Sequence, residues 1–330
     1  MKAKLLLLLL MGAVLLVGCA QEEVKKPEAT PAETPSAKEV QVTILTGGAS
    51  GTYYPIGGAM ANVINEHVEG VKATAVTSGA SVTNARKIGS GEAELALLQN
   101  DIAYYAYTGT EMFKENPIKN IRGIATLYPE VVQIVTLKDK GIETLYDLKN
   151  KRIAVGAPGS GTAVAAMQIL SMVGINESNA DIRYLNFKEV ADALKDGTID
   201  AGFIVAGVPT AAVSDIAAVR DVQIVEIPDE VYEKLSQHYK FYIQYTIPAG
   251  SYKGVDEEVK SVAVLAMLAT REDIPEDVIY EITKAIFENR DELVAAHKRA
   301  EDITLETALD GMSIPLHPGA EKYYKEKGLI

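Results

Sequence analysis

Strand-like and helix-like runs alternate along most of this chain. That alternation predicts an α/β protein with mainly parallel sheets flanked by helices. Two further observations predict two lobes with a cleft between them. First, the body from residue 40 to 330 is too long for one small core. Second, a Gly-rich turn runs from a strand into a helix twice. One is Thr46-Gly47-Gly48-Ala49-Ser50-Gly51-Thr52, and the other is Gly156-Ala157-Pro158-Gly159-Ser160-Gly161-Thr162. A strand that turns tightly into a helix leaves the first helical N–H groups unpaired, and the aligned peptide dipoles add partial positive charge there. Each turn is therefore a candidate anion site, and two of them suggest one small anion held between lobes.

The elements follow in order. Strand patterns run over 40–45, 71–76, 94–98, 131–137, 152–155, 182–185, 199–205 and 222–226. Helical patterns lie between them at 54–67, 81–88, 161–173, 187–195 and 228–237. In the first of these, Ile56, Met60, Val63 and Ile64 share one face. Long helices return at 275–289 and 291–299, after the second set of strands is complete. The simplest assembly has lobe I at 40–128 plus 270–330 and lobe II at 129–269. Extended crossings at 128–136 and 262–271 would join them. Both Gly turns then fall at the carboxyl ends of strands, where open α/β sheets bind ligands.

The beginning of the chain reads as an export signal. Lys2 and Lys4 precede the apolar run Leu5–Val17, which is shorter than the ~20 residues a spanning helix needs. Leu16-Val17-Gly18-Cys19 resembles the lipobox of bacterial lipoproteins, in which the cysteine is lipidated and becomes the mature N-terminus. Residues 1–18 are thus expected to be a signal peptide. Residues 19–39, rich in Glu, Lys, Pro, Ala and Thr, are expected to be a flexible tether holding the body at a membrane surface. Cys19 is the only cysteine, so no intramolecular disulfide is available.

Charge and motif content remove several function classes. Without Lys2 and Lys4, the 32 basic residues become 30 against 45 acidic ones, a net charge of −15. That balance argues against nucleic-acid binding, and it means any anion site must be local, built from backbone amides and a few side chains. The second turn has the Gly spacing of a P-loop, but Thr162 stands where the phosphate-binding Lys belongs. The first turn misses the dinucleotide fingerprint by one position. No Gly-x-Ser-x-Gly elbow is present, and the four histidines (67, 238, 297 and 317) show no metal-ligand spacing and suit surface or helix-face positions. No cofactor and no metal are expected.

Other polar clusters fit the cleft. Thr77-Ser78-Gly79-Ala80-Ser81 follows the second strand and precedes a helix holding Asn84; Ser78 can cap that helix or donate to a ligand. Gln99-Asn100-Asp101 follows the third strand. Ala206-Gly207-Val208-Pro209 follows the strand at 199–205, where Gly207 lets a ligand approach the backbone.

These motifs, taken in order, resemble the signatures of the TAXI-type receptors of TRAP transporters. The resemblance is carried by the run Gly47–Gly57, the turn Ser78–Ser81 with Asn84, Gln99-Asn100-Asp101, and the second Gly turn. It continues through Asp200-Ala201-Gly202-Phe203 and His317-Pro318-Gly319-Ala320-Glu321-Lys322-Tyr323-Tyr324. It implies a two-lobed periplasmic-binding-protein type II fold that closes over its ligand. It also implies capture of a small carboxylate (glutamate, glutamine or a dicarboxylate such as 2-oxoglutarate) and delivery to a TRAP-type membrane permease, often a fused one. The expected ligand-binding residues are Gly51, Thr52, Tyr53, Ser78, Ser81, Asn84, Gln99, Asp101, Gly159, Ser160, Gly161, Thr162, Ala206 and Gly207. Asp101 would repel an anion, so it is either a helix cap or the partner of a ligand ammonium. Two other classes remain open: a receptor serving a sensor kinase and, more distantly, an enzyme acting on a small acid. The enzyme lacks an assignable nucleophile–base pair, so no catalysis is expected.

Overall fold

The computed structural model describes residues 39–330. The leader, Cys19 and the tether as far as residue 38 lie outside the described residues. Within them the first half of the fold runs β1 (Val40–Leu45), α1 (Tyr53–His67), β2 (Val71–Val76), α2 (Ser81–Ser90), β3 (Leu95–Gln99) and α3 (Asn100–Thr108). A long β4 (Ile121–Leu137) carries the chain onward to β5 (Arg152–Ala154), α4 (Gly161–Met172), β6 (Asp181–Arg183), α5 (Phe187–Lys195), β7 (Ala201–Ala206), α6 (Ala211–Val219), β8 (Val222–Val225), α7 (Asp229–His238) and β9 (Ile243–Ile247). A second long strand, β10 (Val259–Arg271), returns it to α8 (Glu276–Glu288), α9 (Arg290–Ala296) and α10 (Pro318–Glu326).

β4 and β10 lie side by side, antiparallel, in the sheet order β2-β1-β3-β10-β4-β7-β5-β6, with β8 on β4 and β9 on β10. Parallel pairing is confined to β1 with β2 and β3, and to β5 with β6 and β7. The crossing strands join their neighbours antiparallel. The parallel character expected of each sheet therefore stops at the crossings, because a chain that leaves one half and returns to it must run the two strands in opposite directions. β4 starts well before the expected 131: residues 121–130 are almost all buried, so no polar alternation marks them.

Four hydrophobic clusters divide the body. Two clusters sandwich the sheet of the first half, one beneath α1, α8, α9 and α10 and one beneath α2 and α3. Two more sandwich the second half, beneath α4 and α7 and beneath α5 and α6. The changeover falls between Tyr128 and Val131 in β4 and between Val264 and Ala266 in β10. The helix expected at 291–299 ends at Ala296, and His297 caps a short 3₁₀ turn through Asp302.

Two of the recognised motifs prove structural. Asp200 accepts hydrogen bonds from Arg152 N at 3.0 Å, Nε at 2.9 Å and Nη2 at 2.6 Å, with Lys140 Nζ at 3.4 Å. The Arg152 guanidinium holds its carboxyl well below the usual carboxylate range. The stability that comes with this depression is present above the unfolded carboxyl value and is lost as pH falls through the folded one. Asp200→Asn is expected to cost ~1 kcal/mol at pH 7, water reaching the pair and screening it. Urea midpoints should show that difference shrinking as the pH drops below the ordinary Asp range. A constant difference across pH would remove the ionic explanation. His317, expected on a surface or helix face, is instead buried. Its Nε2 lies 3.0 Å from Ile274 O and its Nδ1 accepts from Gly319 N at 3.2 Å, capping α10.

Candidate functional site

Between the two halves lies a cavity of about 400 Å³. Its floor and walls come from five chain segments that end β1, β2, β5 and β7 or open the following helices. Both Gly turns reach it, as does the turn Thr77–Ser81, with Gln99, Glu130, Asn186, Phe187, Lys188 and Ala206 completing the lining. The halves touch around it. Thr83 N donates to Gly159 O at 3.1 Å, Ala212 N to Ser50 O at 3.3 Å, and Thr52 Oγ1 to Gly207 O at 3.5 Å. This is a closed arrangement, in which donors from both halves face one space.

The donors are helix starts. Thr52, the cap of α1, makes no side-chain cap bond, and the N–H groups of Thr52 and Tyr53 find no acceptor among the described residues. In α4, Ser160 Oγ accepts from Ala163 N at 3.1 Å, which leaves the N–H groups of Gly161 and Thr162 without an acceptor among the described residues. The second turn reaches this geometry through Gly156 and Gly159, which sit at φ +100° and +76°. Gly161 is needed for closeness: a Cβ there would overlap the Gln99 amide and stand 2.9 Å from Ser81 Oγ, both from the other half.

α2 starts from a strained residue. Ala80 adopts φ 65°, ψ −152°, a region nearly reserved for glycine. Ser78 holds the turn beneath it, donating to Thr46 O at 2.8 Å while Ala80 N donates back to Ser78 Oγ at 3.0 Å. Relief of strain worth about 1–3 kcal/mol should outweigh the extra chain entropy of glycine, so Ala80→Gly is expected to gain ~1 kcal/mol in urea unfolding. A loss instead would mean that the packing of the Ala80 methyl dominates.

Of the expected site residues, Gly51, Thr52, Tyr53, Ser78, Ser81, Gln99, Ser160, Gly161, Thr162 and Ala206 line the cavity. Four do not. Asn84 is buried behind the wall, where its Nδ2 donates to Thr46 O and Leu97 O at 2.7 Å each; it ties α2 to two strands and has no donor left for a ligand. Asp101 turns back onto its own helix, Oδ1 accepting from Ile102 N at 2.8 Å. Gly159 spends its carbonyl on Thr83, and Gly207 is covered by Thr52 and by the stem of Arg299.

Sequence reasoning missed Glu130, Asn186, Phe187 and Lys188. Asn186 and Glu189 form a capping box at the start of α5, with bonds of 3.1 and 2.7 Å, and that N-x-x-E pattern was readable. Phe187 lies against Gly51 across the cleft. Lys188 is exposed and its Nζ is bonded to Asp192 at 2.6 Å. Glu130 is the larger omission, a charge-bearing residue in the middle of an apolar strand.

Glu130 is only 2% exposed, and no buried cation lines the cavity beside it. Burial pushes its carboxyl up to about 8, with the Gln99 and Tyr53 side chains pulling it partly back and Asp101 raising it further. Burial also raises Asp101 to about 7 and Tyr53 well above its ordinary value. The Tyr53 and Gln99 side chains stand close enough to affect Glu130, and Tyr53 Oη and Gln99 Oε1 are in no well-formed hydrogen bond among the described residues.

Residues 44–328 match the family model described as NMT1-like. The chain belongs to the NMT1-like family. Among solved structures, a protein of Bordetella bronchiseptica RB50 is similar to this NMT1-like chain, with 16% identity and a TM-score of 0.55 over 88% of this chain and 99% of that one. The periplasmic aliphatic sulphonate binding protein SsuA of Escherichia coli is 14% identical, with a TM-score of 0.46 over 88% of this chain and 79% of that one. The substrate binding protein of an amino acid ABC transporter is 16% identical, with a TM-score of 0.46 over 78% and 96%. The NMT1-like chain shares the fold of the Bordetella protein, a sheet flanked by helices in each half. Among the described residues no helix is long and apolar enough to cross a membrane.

Proposed function

We propose that this chain is an extracytoplasmic solute-binding receptor of the TAXI type. It would capture a small carboxylate by closure of its halves and hand it to a TRAP-type membrane permease, without turnover. The observation that carries the reading is the cavity of about 400 Å³ lined from both halves by helix starts whose N–H groups have no acceptor among the described residues. A carboxylate accepting from α1 and α4 together would favour the closed state, because only that state brings both donor sets to one place. Each hydrogen bond to a charged group contributes about 1.5–3 kcal/mol, so a few of them reach micromolar affinity after ordering costs. Export by residues 1–18 and lipid anchoring through Cys19 belong to the same proposal, as does glutamate, glutamine or a dicarboxylate as the occupant.

The test is calorimetric titration of the full-length protein, purified in detergent and stripped of carried-over ligand by unfolding and refolding. L-glutamate, L-glutamine, 2-oxoglutarate, succinate and an uncharged sugar form the panel. Micromolar or tighter binding of an acid, returned unchanged, is the expected result. Silence toward every acid, or tight binding of the sugar, would overturn it.

A further inference from the structure

The cavity is chemically two-sided, and its second side carries a buried acid that holding a carboxylate does not require. One side is a set of backbone donors at the starts of α1 and α4. The other is Glu130, with the Gln99 and Tyr53 side chains beside it, all buried, and with Gln99 Oε1 and Tyr53 Oη in no well-formed hydrogen bond among the described residues. A plain dicarboxylate brings no donor for Gln99 Oε1 or for an ionised Glu130, whereas a ligand ammonium donates to both. Resting on the receptor reading above, we infer that the occupant is an amino acid and that Glu130 is the residue that reads its protonated amine.

The sides are also close together. A Cβ on Gly161, at the start of α4, would overlap the amide of Gln99, and Gln99 is the side chain that most favours the ionised form of Glu130. Carboxylate and amine sites one side chain apart suit groups borne on the same or adjacent carbons. Asp101, which the sequence offered for this role, does not line the cavity; its Oδ1 accepts from Ile102 N and its Oδ2 is buried without a partner among the described residues.

The inference has a proton signature. The groups facing Glu130 are Tyr53 from α1, Tyr128 from its own strand, Gln99 from β3 and Asp101 from α3, none of them a cation. Lys188 stands at the cavity with its Nζ bonded to Asp192, and Arg299 lies behind Gly207, its Nη1 3.1 Å from Asp302. In the empty site the Glu130 carboxyl is mostly protonated at pH 7, and an incoming ammonium favours its ionised form. Binding therefore releases about one proton per site at pH 7.

Calorimetry in buffers of different ionisation enthalpy reads both affinity and proton count, on the full-length protein and on Glu130→Gln. L-glutamate and L-glutamine are the amine-bearing probes, and 2-oxoglutarate and glutarate their analogues without the amine. The expected result is at least one amino acid bound about 100-fold tighter than its analogue, with about one proton released. In Glu130→Gln, refolded with a cooperative urea transition, that preference and the proton release both disappear. Equal or tighter binding of 2-oxoglutarate or glutarate by the wild type would overturn the inference and leave the receptor reading standing. So would an unchanged preference in Glu130→Gln. Silence toward all four probes would overturn both.

Discussion

Glu130→Gln should make the unliganded protein more stable at neutral and alkaline pH and leave it almost unchanged at pH 4. The carboxyl is pushed from an ordinary 4.5 to about 8 in the fold. Between those values the unfolded chain has lost its proton and the folded chain keeps it, so the wild type loses stability as pH rises through that window. At ~1.4 kcal/mol per pH unit, the loss accumulated by pH 7 is about 3 kcal/mol, and it levels off above about 8. Asp101, raised by burial to about 7, has the same sign and leaves a smaller slope in the variant. Urea midpoints measured from pH 4 to pH 9 should diverge in this pattern. Parallel curves for wild type and variant would show that Glu130 is ionised in the empty fold. Loss of stability in exchange for a ligand-facing acid is what a binding site built for a cation would produce.

Gly319→Ala is expected to cost about 3 kcal/mol, at the upper end of overpacking penalties. Gly319 sits in the first turn of α10 against α8, and a Cβ there would overlap the Glu276 carbonyl oxygen and stand 2.6 Å from Tyr280 N. Both atoms are helix backbone, so no side chain can swing aside. The helices would have to part, lifting Tyr323 and Tyr324 out of the core and stretching the 2.8 Å bond from Tyr324 Oη to Ile124 O on β4. A lowered urea midpoint with unchanged affinity in the folded fraction is the expected pair of results, because α10 lies away from the cavity. A midpoint within 0.5 kcal/mol of wild type would mean that α10 docks more loosely than its packing implies.

The motif around Gly319 shows how far sequence reading reached. His317-Pro318-Gly319 was recognisable as a pattern, but its meaning is local structure: a capping imidazole, a proline at the first helical position and a glycine for close helix contact. Asp200 in Asp200-Ala201-Gly202-Phe203 likewise serves the fold through Arg152. At the cavity, the donors on Thr52, Tyr53, Gly161 and Thr162 were legible because a strand–Gly–helix turn is a local object, and a short stretch of chain determines where its N–H groups go.

The acceptor side was not legible, for the opposite reason. Asp101 and Glu130 both follow apolar runs and look equivalent in a sequence. Asp101 opens a helix and folds its carboxyl onto Ile102 N, a choice made within two residues. Glu130 lies within β4, paired to Val264 of β10 just before that ladder shifts register, so the face it presents depends on pairing across more than a hundred residues. The sequence alone determined the alternation of elements, the two Gly turns and the unpaired N–H groups at the starts of their helices, all set by contacts within a few residues. Only the tertiary structure decided which acid faces the cavity and how closely the halves meet, because side-chain direction in a strand changes with every residue of register.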